Sequence, residues 1–366
     1  VPAVGFVSAI VPSFARRPLF GYRAMILSMI AIAILAFGLW VHHMFAVGLP
    51  RVGNAFYTIA SMAIALPASI QIFCWIATIW SGRPRFHTPL LWVVAFLATF
   101  VIGGLSGVMA ASAPLDLQLT DTYFIVAHLH YVLVGGAIFP LFGAFSYWYP
   151  KATGRMMSER LGKPAFWLIV GGFNIGFFPM HLLGLMGMPR RVYTYPEEMG
   201  WDVLNLVATV GSSIAALGGM VFVTNGLWSY WLGAPAGDDP WDAPTLEWAT
   251  SSPPLPHNFD AVPVVESVVP RWTSDRLPVM EGLASDRREV LISSVVDATP
   301  IYRHRSAGPS IWPLLSGLAL SALFVASIFT PWAIVWGAIP VGITLAIWFW
   351  PTRKRAITGP FAKARA

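Results

Sequence analysis

Residues 122–149 read TYFIVAHLHYVLVGGAIFPLFGAFSYWY, a stretch without one Asp, Glu, Lys or Arg. A run this long and apolar exceeds the roughly 20 residues that a helix needs to cross a bilayer. An open sheet could not satisfy its backbone there, so the stretch predicts a transmembrane helix. Within it stand His128 and His130. Imidazoles at membrane depth are costly and rare, which marks both as functional candidates. Two positions apart on a helix, they diverge by about 200° with an axial offset of about 3 Å. They cannot share one mononuclear site, but they can serve two groups on opposite faces. The bland alternative is a pair of core histidines, each bonded to a neighbouring helix or a water.

Working outward, the rest of the chain repeats the pattern. Of its 366 residues 56% are hydrophobic and only 11% charged, which places it among multi-span membrane proteins. Further apolar runs fall at 24–47, 55–80, 89–112, 164–187 and 203–232, and Val1 to Pro12 reads as the end of another span. Shorter runs at 311–329 and 332–350, divided by Thr330-Pro331, predict a helical hairpin. The fold class expected is therefore an all-α polytopic bundle. Charges orient it. Arg16, Arg17, Arg23, Arg83, Arg85, Lys151, Arg155, Arg160 and Lys163 fall in alternate loops, against only Arg51, Arg190 and Arg191 in the others. The richer loops belong on the cytoplasmic side. The net charge of +6 is spread over short loops and does not point to nucleic acid. Arg190-Arg191 is the exception, two cations on the opposite side that meet headgroups or an anion. The one Cys74 excludes a disulfide framework.

Between 233 and 309 the composition changes, with eleven of the 17 acidic residues and eleven of the 30 prolines. No sustained helical or strand period runs through it, so it reads as a cytoplasmic linker. The expected layout is a membrane core at 1–234, a linker at 235–309, a transmembrane hairpin at 310–350 and a basic tail at 351–366. The absence of an initiator Met and the opening inside an apolar run read as part of a longer protein.

A second histidine pair, His42-His43, lies near the end of its run, before Gly48-Leu49-Pro50. Adjacent positions on a helix diverge by about 100°, so both can converge on one small ion at the helix edge. An interfacial pair without a metal fits the spacing equally well. His87 and His304 sit in basic loops and read as surface, His257 follows Pro253-Pro254 and reads as no ligand, and His181 reads as a structural hydrogen-bonder. The Met-rich string Met180–Met188 reads as packing.

The strings Trp40-Val41-His42-His43-Met44-Phe45-Ala46-Val47-Gly48 and Asp121-Thr122-Tyr123-Phe124-Ile125-Val126-Ala127-His128-Leu129-His130-Tyr131-Val132-Leu133 resemble subunit I of haem-copper terminal oxidases. So do Phe177-Phe178-Pro179-Met180-His181 and Gly184-Leu185-Met186-Gly187-Met188-Pro189-Arg190-Arg191. The likeness runs from Val1 to about Phe259, in family order, and is similar to the cytochrome c oxidase branch from the end of the sixth helix through the twelfth. It implies two a-type haems, one low-spin and one high-spin, and a copper. His42 and His43 resemble two of the three copper ligands. His128 resembles the axial ligand of the high-spin haem, and His130 that of the low-spin haem. Arg190 and Arg191 resemble the arginines on the haem propionates, Asp116 a carboxylate near them, and Asp121 a ligand of a magnesium site. The family's function, reducing O2 to water with outward proton movement, and its partners follow as expectations: a copper-binding subunit II, a subunit III, cytochrome c and the lipid bilayer, in a bacterial plasma membrane.

The departures are specific. Thr120 stands where the family has a His ligand to magnesium, and Gln71 where it carries a Lys in one proton path. Leu129 replaces a Phe common between the paired histidines. The third copper ligand, its cross-linked Tyr and the second low-spin haem ligand would lie upstream of Val1, so residues 1–366 alone are expected to be inactive. A quinol-oxidising member of the same family is the near alternative. A transporter or structural bundle whose histidines hold no cofactor is the distant one. The Asp-Thr-Tyr and Met-Pro-Arg-Arg strings disfavour a nitric-oxide reductase.

Overall fold

The computed structural model describes residues 2–255, 259, 263–273, 289–296, 300–305 and 310–350. His257 and the basic tail from 351 lie outside the described residues. The chain is an all-α membrane bundle. Its first helix, α1, spans Pro2–Ala15, and α2 spans Tyr22–Leu39 and runs on as a 3-10 segment over Trp40–Val47. Next come α3 (Arg51–Ala63) and α4 (Ala65–Trp80), then α5 (Thr88–Ala110) and the short α6 (Ala113–Leu119). Helix α7 (Tyr123–His130) passes through a π segment, Tyr131–Ile138, into α8 (Phe139–Thr153), and α9 (Glu159–Leu185) and α10 (Asp202–Leu232) follow. Among the described residues six helices, counting α2 with its 3-10 segment, α3 with α4 and α7 with α8, are long and apolar enough to cross a membrane. They fall where the apolar runs predicted.

Local chemistry sets the boundaries. Pro89 opens α5 at a position where its missing N–H costs nothing. The Glu159 carboxylate accepts the Thr88 backbone N–H at 3.0 Å, so α9 caps α5 from across a loop. Gly154 ends α8 at φ 72°, the left-handed conformation usual just past a helix C-terminus. Gly48 ends the 3-10 segment at φ 93° in the same way.

The core is aromatic. Trp75, Trp92, Tyr131, Phe139 and Tyr147 are fully buried, and Trp92 alone packs against Phe139, Phe142, Phe166 and Phe222. The outward faces are apolar as well. Leu27, Ile34 and Phe37 on α2 are exposed, as a surface in hydrocarbon or against other helices requires.

This compact unit carries on past the expected linker start at 235, through Leu255 and again over residues 264–273. The reason is specific side chains. Trp241 donates its indole N–H to the Tyr147 carbonyl at 2.8 Å, and Trp248 is fully buried. A four-residue helix, α11 (Pro270–Thr273), is held by Arg271, whose guanidinium pairs with Asp239 at 2.9 Å. Burial pushes the Asp239 carboxyl above its ordinary range, against the pull of the Ala243 N–H and of Arg271.

The second unit differs from expectation in one respect. Strands β1 (Glu289–Ser293) and β2 (Pro300–Arg305) pair antiparallel, with Glu289 opposite Arg305 and Leu291 opposite Arg303. Five and six residues are too short for a period of two to stand out among prolines and charges. In the same unit α12 (Trp312–Ser327) and α13 (Ala333–Phe349) pack against each other. At 16 and 17 residues each helix is about 25 Å long.

Candidate functional site

The site begins at α7. The π segment that follows His130 widens the helix where Gly135-Gly136 removes side chains, and such bulges recur at functional sites. Helix α5 approaches this segment closely at Gly103, where a Cβ would sit 2.9 Å from the Val132 side chain and 3.1 Å from the Tyr131 backbone. That approach delivers two acceptors to His128. Its Nδ1 lies 3.1 Å from the Gly103 carbonyl and 3.0 Å from the Ser106 hydroxyl. A carbonyl only accepts, so Nδ1 carries the proton and Nε2 keeps a free lone pair.

His130 points the other way. Its Nδ1 donates to the Val126 carbonyl at 2.7 Å, one turn back, and its ring stacks on Phe177 of α9 at 4.0 Å and 17°. Thus His128 faces α5 and His130 faces α9, as the helical angle required. Both present Nε2 as the available nitrogen, the arrangement that second-shell acceptors impose on metal-ligating imidazoles. The donor chemistry therefore fits two haem irons, one on each face.

His42 and His43 sit on the 3-10 segment rather than on regular α-helix, so they diverge by about 120° instead of 100°. Their rings are still neighbours, with centroids 4.4 Å apart. The His42 Nδ1 is 3.0 Å from the Ser61 hydroxyl of α3, which leaves Nε2 free, and Trp40 lies against His43 at 4.6 Å. Neutral imidazole suits copper, and two of them fit as a partial ligand set. Among the described residues no three His, Cys, Asp or Glu side chains gather on one point, so the pair leaves coordination positions to other donors.

Asp116 lies buried on α6 and accepts a hydrogen bond from Thr120 Oγ1 at 2.8 Å. Burial pushes its carboxyl above the usual range, against the pull of that hydroxyl and of nearby His43. Asp121 holds φ 62° and is bound to Arg190, with Nε 2.6 Å from Oδ1 and Nη2 on the same oxygen. The structure thus pairs two residues that the resemblance assigned to different groups. One oxygen of Asp121 is committed to a guanidinium and the Thr120 hydroxyl to Asp116, so of these donors the second Asp121 oxygen alone is left to meet a cation. Arg191 is exposed at φ 68°.

Among the remaining histidines, His181 is buried, with Nδ1 3.2 Å from the Phe178 carbonyl and Nε2 without a partner among the described residues. His87 is half-exposed, 3.8 Å from Glu159. His304 lies on β2, and its side chain is outside the described residues. Met188 packs with Leu183 and Trp201. Ser61, Ser106 and Phe177 were not singled out in the sequence, because each meets its histidine across 19, 22 or 47 residues of chain. No local signal announces such pairs.

Residues 1–214 match the profile of the family described as cytochrome c and quinol oxidase polypeptide I. The chain belongs to that family. It is 47% identical over 271 residues to a cytochrome c oxidase subunit 1 of Alkalihalophilus pseudofirmus, covering 74% of this chain and 43% of that one. It is also 47% identical over 270 residues to a quinol oxidase subunit 1 of Bacillus subtilis, covering 73% and 42%. The chain therefore spans under half the length of these relatives. Among solved structures, a haem-copper terminal oxidase dimer matches with a TM-score of 0.58 at 20% identity, over 64% of this chain and 46% of that one. That match supports the helical fold.

Proposed function

We propose that this chain supplies part of the catalytic subunit of a haem-copper respiratory oxidase. The observation that carries the reading is the opposed pair on α7, two imidazoles each fixed through Nδ1 and each offering Nε2 to a different face. His130 would hold a low-spin haem and His128 the high-spin one, both a-type, with His42 and His43 as two copper ligands. When bound, these groups supply the electron transfer and the reduction of O2 to water. The protein's own part is to orient the imidazoles. Gly103 and Ser106 fix His128, Val126 and Phe177 fix His130, and Ser61 fixes His42. Arg190 and Arg191 would meet haem propionates, for which guanidinium forks are suited.

Cytochrome c is the donor proposed, delivered through a copper-binding subunit II beside a subunit III, in a bacterial plasma membrane. The layout proposed is core, linker, hairpin and basic tail, as the sequence suggested. Quinol is the second reading, favoured by the equal 47% identity to a quinol oxidase subunit. Outward proton movement belongs to the same proposal.

Reduced-minus-oxidised absorbance of the assembled enzyme tests the ligand split. His130→Ala should remove the low-spin haem signal, while His128→Ala should leave it and disturb the oxygen-binding haem. Loss of the same single species in both variants would refute the assignment.

A further inference from the structure

The basic end of the bundle holds a cavity of about 480 Å³ that the redox site does not use. Arg16, Arg17, Arg83 and Arg85 line it together with Ser81 and Gly82. Arginines that only orient a membrane protein need to sit somewhere in a loop. Here the two loops that carry them are held together by specific bonds. The Arg83 N–H donates to the Ala15 carbonyl at 2.8 Å and the Arg85 N–H to the Phe14 carbonyl at 3.0 Å. Arg17 returns the link through its guanidinium to the Ser81 carbonyl at 3.0 Å. The loop after α1 and the loop after α4 are thereby locked against each other, with their cations on one concavity.

The charges are not balanced there. Asp242 accepts from Arg16 at 2.6 Å and is the one carboxylate paired with these four among the described residues. Glu159 is committed to the Thr88 N–H and to Lys163. The Arg83 and Arg85 guanidinium groups carry no ion pair among the described residues. The Nε atoms of Arg16 and Arg17 are buried without a hydrogen-bond partner. A buried donor left unpaired costs free energy. Four like charges on one concavity repel each other, and an anion held among their guanidinium groups relieves that repulsion.

The geometry points to a binding site for a phosphate-bearing anion in this cavity. Guanidinium forks match phosphate oxygens in pairs, and two or three of them would bind a phosphate group far better than a chloride or an isolated carboxylate. The cavity lies at the end of membrane-spanning helices, so the phosphate can come from an anionic lipid headgroup or from free phosphate in solution. This inference does not rest on the haem and copper assignments.

The test uses the assembled enzyme, stripped of lipid in neutral detergent. One arm measures radiolabelled inorganic phosphate by equilibrium dialysis. The other measures phosphatidylglycerol retained through gel filtration from mixed micelles. Saturable binding is expected in at least one arm. Saturation with inorganic phosphate identifies a soluble anion, and saturation in the lipid arm alone identifies a headgroup. Arg83→Gln/Arg85→Gln should weaken that binding tenfold or more, and Arg85→Gln by threefold or more if the double variant does not assemble. Arg23→Gln removes a charge outside the cavity and should leave binding within twofold. Absence of saturable binding in both arms, binding untouched by the cavity variants, or an equal loss in Arg23→Gln would overturn the site.

Discussion

His128 and His130 have one residue between them and lie on nearly opposite sides of their helix. What makes each a ligand candidate is the state of its second nitrogen, and that state is set by a carbonyl in both cases. Gln71 illustrates the opposite situation, a residue defined by what it lacks. It is buried on α4 beside Cys74 and Trp75, and its neutral amide cannot ionise. If protons reach the redox site by another route, Gln71→Leu should leave turnover and the rate of haem reduction within about twofold. Stopped-flow reduction of the assembled enzyme measures this. Slowing of tenfold, a barrier change of about 1.4 kcal/mol, would show that the path passes Gln71.

At the level of elements, α9 and α10 approach each other closely through glycines. A Cβ on Gly211 would lie 2.2 Å from the Gly176 nitrogen and 2.6 Å from the Ile175 carbonyl carbon, both backbone atoms that cannot swing aside. Gly211→Ala should therefore lower stability by about 1–3 kcal/mol, the range for overpacking a tight core. On the same pair Gly171 faces open space. Gly171→Ala should be neutral or slightly stabilising, since Ala is the better helix former by about 1 kcal/mol. Thermal unfolding of both variants in detergent checks the contrast, and an equal effect would refute the close-contact account. The consequence for function is direct, because α9 carries Phe177, the ring on which His130 stacks.

At the scale of the whole molecule, Lys151 ties the segment after α10 to the bundle. Its Nζ donates to the carbonyls of Thr250, Asp238 and Ser251 at 2.7, 3.0 and 3.2 Å and lies 5.2 Å from the Trp248 ring. Hydrogen bonds from a charged group contribute about 1.5–3 kcal/mol each, and Lys151→Met would leave three carbonyls to find new partners. Hydrogen exchange should then rise over residues 238–252 while α5 and α7 stay protected. Unchanged exchange there would show that Trp241 and Trp248 hold the segment unaided. The sequence by itself determined the six spans, because the 20-residue apolar threshold and the caps at Pro89 and Gly154 are local properties of the chain. It determined the opposed faces of His128 and His130 as well, since helical angle depends only on spacing. Other features were decided in three dimensions. The partners Ser61, Ser106 and Phe177, the Asp121–Arg190 pair and the attachment of residues 235–255 all join positions far apart in the chain. Their energies depend on which surfaces the bundle brings within hydrogen-bonding distance, and spacing along one chain carries no record of that.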